Sequence, residues 1–238
     1  MYDHHDVTSM DSHDEKTREP QYQGQIELRD AKGLTPLGYT TNLVWHSDPR
    51  RVGFILARYK FVAKMLEGKS RVFEVGCGDA FGARIVLQGV KHLTVSDFDP
   101  LFIEDVKQRM EAPWIFETLV HDMLDCPVPG QLFDAAYSLD VLEHISAVQE
   151  QRFLGNICAS LVQTGVLIIG TPSLEGQQYA SVPSKAGHIN CKSQEELRSL
   201  MLHFFENVFV FGMNDEVVHT GYGKMAHYLF AIGAGKKS

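Results

Sequence analysis

Val72-Phe73-Glu74-Val75-Gly76-Cys77-Gly78-Asp79-Ala80-Phe81-Gly82 is the stretch on which the reading of this chain turns. An apolar run closes on an acid, Gly-x-Gly comes next, and then a small residue able to open a helix. This is how a buried parallel strand turns abruptly into a helix whose N-terminus faces a ligand. Glycine is required at 76 and 78 because a Cβ there would block a ligand lying on the backbone or forbid the turn's dihedrals. Gly-x-Gly alone is common, so the weight rests on Glu74 before it and on the residues after Gly78.

Two details choose the ligand. A dinucleotide fingerprint, Gly-x-Gly-x-x-Gly, would place its third glycine at 81, where this chain has Phe81. The Glu74 carboxylate would repel a pyrophosphate but would suit a cationic amino group. S-adenosylmethionine (SAM) carries an ammonium, a sulfonium and no phosphate. The stretch resembles motif I of the class I SAM-dependent methyltransferases, with Ala80 where that family usually has a further glycine. Alanine is small enough to keep the turn. The resemblance assigns Glu74, Gly76, Cys77 and Gly78 to the cofactor.

Outward from residue 71, strand-like and helix-like segments alternate, which argues for a parallel sheet covered on both faces. Strands are expected near 71–75, 92–96, 115–119, 132–137 and 165–170, and helices near 80–89, 100–111, 147–161 and 193–204. The last helix carries the capping box Ser193-x-x-Glu196, and apolar runs near 207–212 and 226–232 supply closing strands. The fold class expected is α/β, a Rossmann-like seven-stranded mostly parallel sheet with helices on both faces and the last strand antiparallel.

Further motifs continue the resemblance over roughly residues 70–175. Leu93-Thr94-Val95-Ser96-Asp97 ends in an acid 19 residues after Gly78. In the family a carboxylate there accepts both ribose hydroxyls, so Asp97 is the expected ribose ligand and Phe98 the flank of the adenine; the plainer reading is a loop acid before Asp99-Pro100. His121-Asp122-Met123-Leu124 resembles the adenine segment, Asp122 accepting from the exocyclic amine and Met123 lying on the ring, against a simple capping role for Asp122. Asp140-Val141-Leu142-Glu143-His144-Ile145 resembles the strand-four motif of many small-molecule methyltransferases, and Leu139 would touch the methionine part of SAM.

At 238 residues the chain fits one α/β domain with additions or two small ones. Residues 1–20 hold six acids against Lys16 and Arg18, half of the net charge of −8, and read as a disordered arm whose His4, His5 and His13 are solvated. Residues 21–68 form an N-terminal lid or helical segment: Gly24, Gly33, Pro36, Gly38 and Pro49 break its first part, and an i, i+3, i+4, i+7 stripe from Val52 to Leu66 makes a helix of its second. Residues 69–238 form the SAM-binding domain, with acceptor-pocket insertions at 173–192 and 213–225. The net acidity and lack of a basic run argue against nucleic acid, no apolar stretch argues for a membrane span, and Cys77, Cys126, Cys158 and Cys191 show no metal or disulfide spacing. A cytoplasmic protein acting on a small molecule, with a homodimer as a further expectation, fits this composition.

Methyl transfer from a sulfonium needs alignment and, for a hydroxyl acceptor, a base. His144, His188 and His219 are the candidates. Asp140, Glu143 and His144 also resemble the E-x-x-E-H ligands of metal-dependent O-methyltransferases, with His188 or His219 completing a shell for Mg²⁺; in metal-free relatives the histidine lines the substrate cavity instead. The segment Asn214 to Gly221 reads either as a substrate wall or as a surface hairpin with Asn-Asp turn chemistry. An NAD(P)-dependent oxidoreductase and a catalytically silent SAM-binding subunit are the competing functions.

Overall fold

The computed structural model describes residues 15–237, in two units, 15–36 and 37–237. The acidic arm expected over 1–20 lies, up to residue 14 and with all three of its histidines, outside the described residues. In the first unit a 3-10 turn at Pro20–Tyr22 leads into helix α1, Gln23–Lys32, which buries none of its residues. Gly33 (φ +75°) ends it, donating its N–H to Arg29 O. In the second unit Gly38 caps helix α2 (Tyr39–Ser47) and Pro49 caps helix α3 (Arg50–Met65). Most of the breakers therefore bracket helices where the sequence suggested irregular chain.

The sheet comprises β1 (Arg71–Val75), β2 (His92–Asp97), β3 (Glu117–Val120), β4 (Phe133–Leu139), β5 (Leu161–Pro172), β6 (Phe205–Asn214), β7 (Val217–His219) and β8 (Tyr228–Lys236). Their order is β3-β2-β1-β4-β5-β8-β6-β7. The first five pair in parallel, and β8 runs antiparallel to both β5 and β6. This is the Rossmann-like sheet expected, with its last strand antiparallel. The three-residue β7 makes an eighth strand among the described residues, because Asp215 adopts φ +50° and folds β7 back on β6. The Asn214–Gly221 segment is thus a hairpin with Asn-Asp turn chemistry.

Alternation along β1 divides the core. Phe73 and Val75 face a cluster with Phe153, Leu154 and Ile157 of helix α6 (Glu150–Ala159) and Leu197, Leu200 and Met201 of a later helix, Gln194–Met201. Val72 faces a second cluster with Tyr59, Val62 and Leu66 around α3, Val86 of α4 (Ala83–Leu87), and Ile103 and Val106 of α5 (Pro100–Arg109). Each fully buried side chain of this size contributes about 1.5–3 kcal/mol. The Ser193–Glu196 capping box is present, Ser193 N–H donating to Glu196 Oε2 at 2.8 Å.

Helix α4 is shorter than the 80–89 expected. Gly78 and Ala80 both take positive φ, +51° and +48°, so the chain is still turning where the helix was to begin. From β1 the chain runs outward to β2 and β3 and returns to β4 on the other side of β1. That reversal opens a crevice between the C-terminal ends of β1 and β4, where such sheets bind ligands.

Candidate active site

The glycine loop forms the floor of the crevice. Gly76 and Cys77 donate their N–H groups to Ser96 O, each at 2.8 Å, which fixes the loop to the end of β2. Gly76 (φ +72°) packs so closely on Val141 that a Cβ would overlap its side chain. Asp97 is buried, its Oδ2 accepting from Gly78 N–H and its Oδ1 from Asp99 N–H, both at 3.0 Å. Each oxygen keeps a second lone pair, so the carboxylate is oriented by the loop and remains able to accept from a diol. Phe98 next to it is exposed. Leu139, at the end of β4, is buried against Gly170. Burial pushes the Cys77 thiol far up, so it serves the loop by size alone.

Three residues expected at the cofactor have partners within the protein. Glu74 is 1% exposed, and its oxygens accept from the Tyr59 hydroxyl at 2.6 Å and the Tyr137 hydroxyl at 2.8 Å. It clamps α3 to the sheet and does not reach into the crevice, because alternation along β1 turns residue 74 into the α3 side of the core. Met123 packs into the other core cluster, since its neighbours there are apolar. Asp122 Oδ1 accepts from Leu124 N–H at 2.7 Å within a turn that opens no helix, so it caps none.

Burial raises Glu74 up to about 7, the two tyrosine hydroxyls working against that rise. The folded protein thus holds a proton that the unfolded chain gives up at lower pH. The stabilisation is complete below the ordinary glutamate value of 4.5 and is lost as pH rises through about 7, a swing on the order of 3 kcal/mol. Melting temperature should therefore fall between pH 5 and 8, and Glu74→Gln should flatten that fall; an unchanged profile in the variant would contradict the assignment.

Asp79 joins the loop to the chain above it. Its Oδ2 accepts from Thr41 N–H at 2.6 Å, its Oδ1 from Phe81 N–H, and its carbonyl from Arg109. Gly38 lies against the Asp79 side chain with no room for a Cβ, so residues 38–41 rest on the glycine loop.

Beyond β4 the chain builds a second cluster. Asp140 takes φ +57° and turns toward α3, where Arg58 Nη1 reaches both its oxygens at 2.7 and 2.8 Å. A 3-10 turn at Leu142–His144 then presents Glu143 and His144. Glu143 is buried; Thr171 donates to its Oε2 at 3.1 Å while Oε1 has no partner. Burial first, and Asp140 second, raise it to about 8. The Glu143 carbonyl accepts from Ile189 and Asn190 N–H, and Asn190 is held in turn by Glu150. These bonds carry His188, at the end of helix α7 (Val182–Gly187), to the site. The His144 and His188 rings are 5.2 Å apart, and ligand atoms of Glu143, His144 and His188 all lie within 4.8 Å of one another.

The tautomers are set by the partners. His144 Nδ1 lies 2.9 Å from Gly187 O, and His188 Nδ1 lies 3.0 Å from Gln177 Oε1. Both partners accept, so both Nδ1 atoms carry hydrogen and both Nε2 lone pairs are left for a ligand or proton. Of the D-x-x-E-H array only Glu143 and His144 face the cluster, because Arg58 draws Asp140 aside. His219 is not brought there: it sits across from Gly212 on β7, four strand spacings from β4, or roughly 19 Å. Its Nδ1 accepts from Gly221 N–H. Arg58, Tyr59 and Tyr228 were missed; a charge between the apolar stripe positions of α3 was the signal for Arg58.

Residues 73–169 match the family model described as a methyltransferase domain. Two curated relatives, probable S-adenosylmethionine-dependent methyltransferases of Mycobacterium tuberculosis strains, are 24% identical over 132 residues, 55% of this chain and 46% of theirs. The chain thus spans less than half the length of these relatives. Among solved structures, the N-methyltransferase NodS from Bradyrhizobium japonicum in complex with S-adenosyl-L-homocysteine (SAH) superposes with a TM-score of 0.59 at 17% identity, over 80% of this chain and 90% of that one. A SAM-dependent methyltransferase from Thermotoga maritima gives 0.60 at 19% identity, over 83% and 100%. No helix among the described residues is long and apolar enough to cross a membrane. The glycine loop at the β1–β4 crevice, the sheet order and these likenesses agree: residues 73–169 form a methyltransferase domain, set in a sheet that shares its fold with SAM-dependent methyltransferases.

Proposed function

We propose that the chain transfers the methyl group of SAM to a hydroxyl oxygen of a small polar acceptor, a sugar or hydroxylated metabolite. The observation that carries this is the convergence of Glu143, His144 and His188 just beyond Leu139, beside the crevice that takes the cofactor. SAM is already activated, so the protein's share is alignment and removal of the hydroxyl proton. The free Nε2 of His144 or His188 accepts that proton, a contribution of about 10²–10⁴-fold. Residues 173–192 supply His188 and so act as acceptor wall, whereas the 213–225 hairpin stays at the sheet edge.

The same three side chains fit a divalent cation: two imidazoles with free Nε2 atoms and an orphaned buried carboxylate oxygen. Bound there, a cation lowers the pKa of a coordinated hydroxyl. Two nitrogens and one carboxylate suit zinc- or manganese-like ions better than the Mg²⁺ expected from the motif, which prefers oxygen ligands.

Calorimetry with SAH, SAM and NAD⁺, repeated with Mn²⁺ and Mg²⁺, tests this reading. Micromolar SAH binding without NAD⁺ binding supports it, and NAD⁺ binding alone overturns it. Asp97→Ala should weaken SAH by about 1–3 kcal/mol, or 5- to 150-fold. Affinity equal to the parent would remove Asp97 from the ribose.

A further inference from the structure

Arg51 and Arg58 stand seven residues apart on α3, almost two full turns, so both guanidinium groups leave the helix on one face. Arg58 fixes where that face points. It holds Asp140 through Nη1, and its guanidinium carbon lies 3.9 Å from the centre of the Tyr228 ring. Its Nε is buried without a partner, and so are the Tyr228 hydroxyl and Glu143 Oε1. Three orphaned polar atoms beside one cluster are a strong departure from normal satisfaction, and a ligand polar on that side would answer it.

Arg51 lies toward the start of the helix. It is exposed and forms no ion pair among the described residues, whereas its neighbour Arg50 is spent on Asp48. On this face the Arg58 charge is paired with Asp140, and Arg51 adds a second cation at the outer end, near Asp48.

We propose that the methyl acceptor carries an anionic group, a carboxylate or a phosphate, held by Arg51 and Arg58 at the mouth of the acceptor site. The proposal rests on the methyltransferase reading and names its substrate class. Asp140 occupies only Nη1 of Arg58, and the remaining Nε–Nη2 edge has the fork geometry that matches two oxygens of such a group. Arg51 makes the first contact and Arg58 the inner one.

The test titrates the SAH-saturated protein with inorganic phosphate and, separately, with benzoate at constant ionic strength. At least one anion should bind saturably: phosphate alone indicates a phosphate ester, benzoate alone a carboxylate. Arg51→Ala should weaken that binding about tenfold or more and leave SAH affinity unchanged. Arg50→Ala removes the same charge from about 100° around the helix and should change nothing. Binding of SAH with neither anion overturns the proposal, as does equal weakening by Arg50→Ala. A protein that fails to bind SAH instead overturns the methyltransferase reading beneath it.

Discussion

Gly76→Ala will lose SAH affinity by at least about 100-fold. Two costs add. The residue sits at φ +72°, where an L side chain costs about 1–2 kcal/mol. The new Cβ also overlaps the Val141 side chain, which stands directly before the turn bearing Glu143 and His144. Relief of that overlap moves either the cofactor loop or the acceptor cluster. Gly78→Ala is the internal comparison: at φ +51° it meets nothing nearer than Thr40 Oγ1 at 3.5 Å, an ordinary contact, and so carries the backbone cost alone. Titration of both variants with SAH should rank them in that order. Equal affinities would show that the Val141 contact does not matter.

Glu143→Gln will lower methyl transfer by about 10²–10⁴-fold while SAH affinity stays within about threefold. The amide fills the same space and can still accept from Thr171, so folding is preserved. What is lost is the ability to ionise: a carboxyl raised to about 8 is mostly neutral at rest and takes up negative charge when an imidazolium or a cation forms beside its unpartnered Oε1. Without it an imidazolium formed during proton removal is less stabilised, and a cation loses its only anionic ligand in the cluster. Co²⁺ absorption separates the two roles: loss of both the spectrum and turnover indicates a cation site, and loss of turnover alone indicates a general-base site. A variant that keeps full turnover would exclude Glu143 from the chemistry.

Local sequence carried the strands, the glycine loop and the capping box, because each is written in a few adjacent residues whose physics is short-range. The placement of Glu143 and His144 beyond β4 was legible for the same reason. What the sequence hid was direction. Glu74 looked like a cofactor ligand until β1 alternation pointed it at Tyr59 and Tyr137. Asp140 and Glu143 looked like members of one ligand set, but a positive φ at 140 and the pull of Arg58 separate them. His188 and His219 looked equivalent; backbone bonds to the Glu143 carbonyl bring in the first, and the β6–β7 hairpin carries off the second. Arg58 showed only as a charge beside the apolar stripe of α3; its role was hidden because its partner lies 82 residues away.

The hold of Asp79 on Thr41 has a kinetic consequence. Residues 38–41 are pinned to the loop by the 2.6 Å bond from Thr41 N–H, so any opening of that stretch must first break it. Asp79→Ala should therefore speed the dissociation of bound SAH in a chase experiment, and an unchanged rate would show that this stretch does not hold the ligand in.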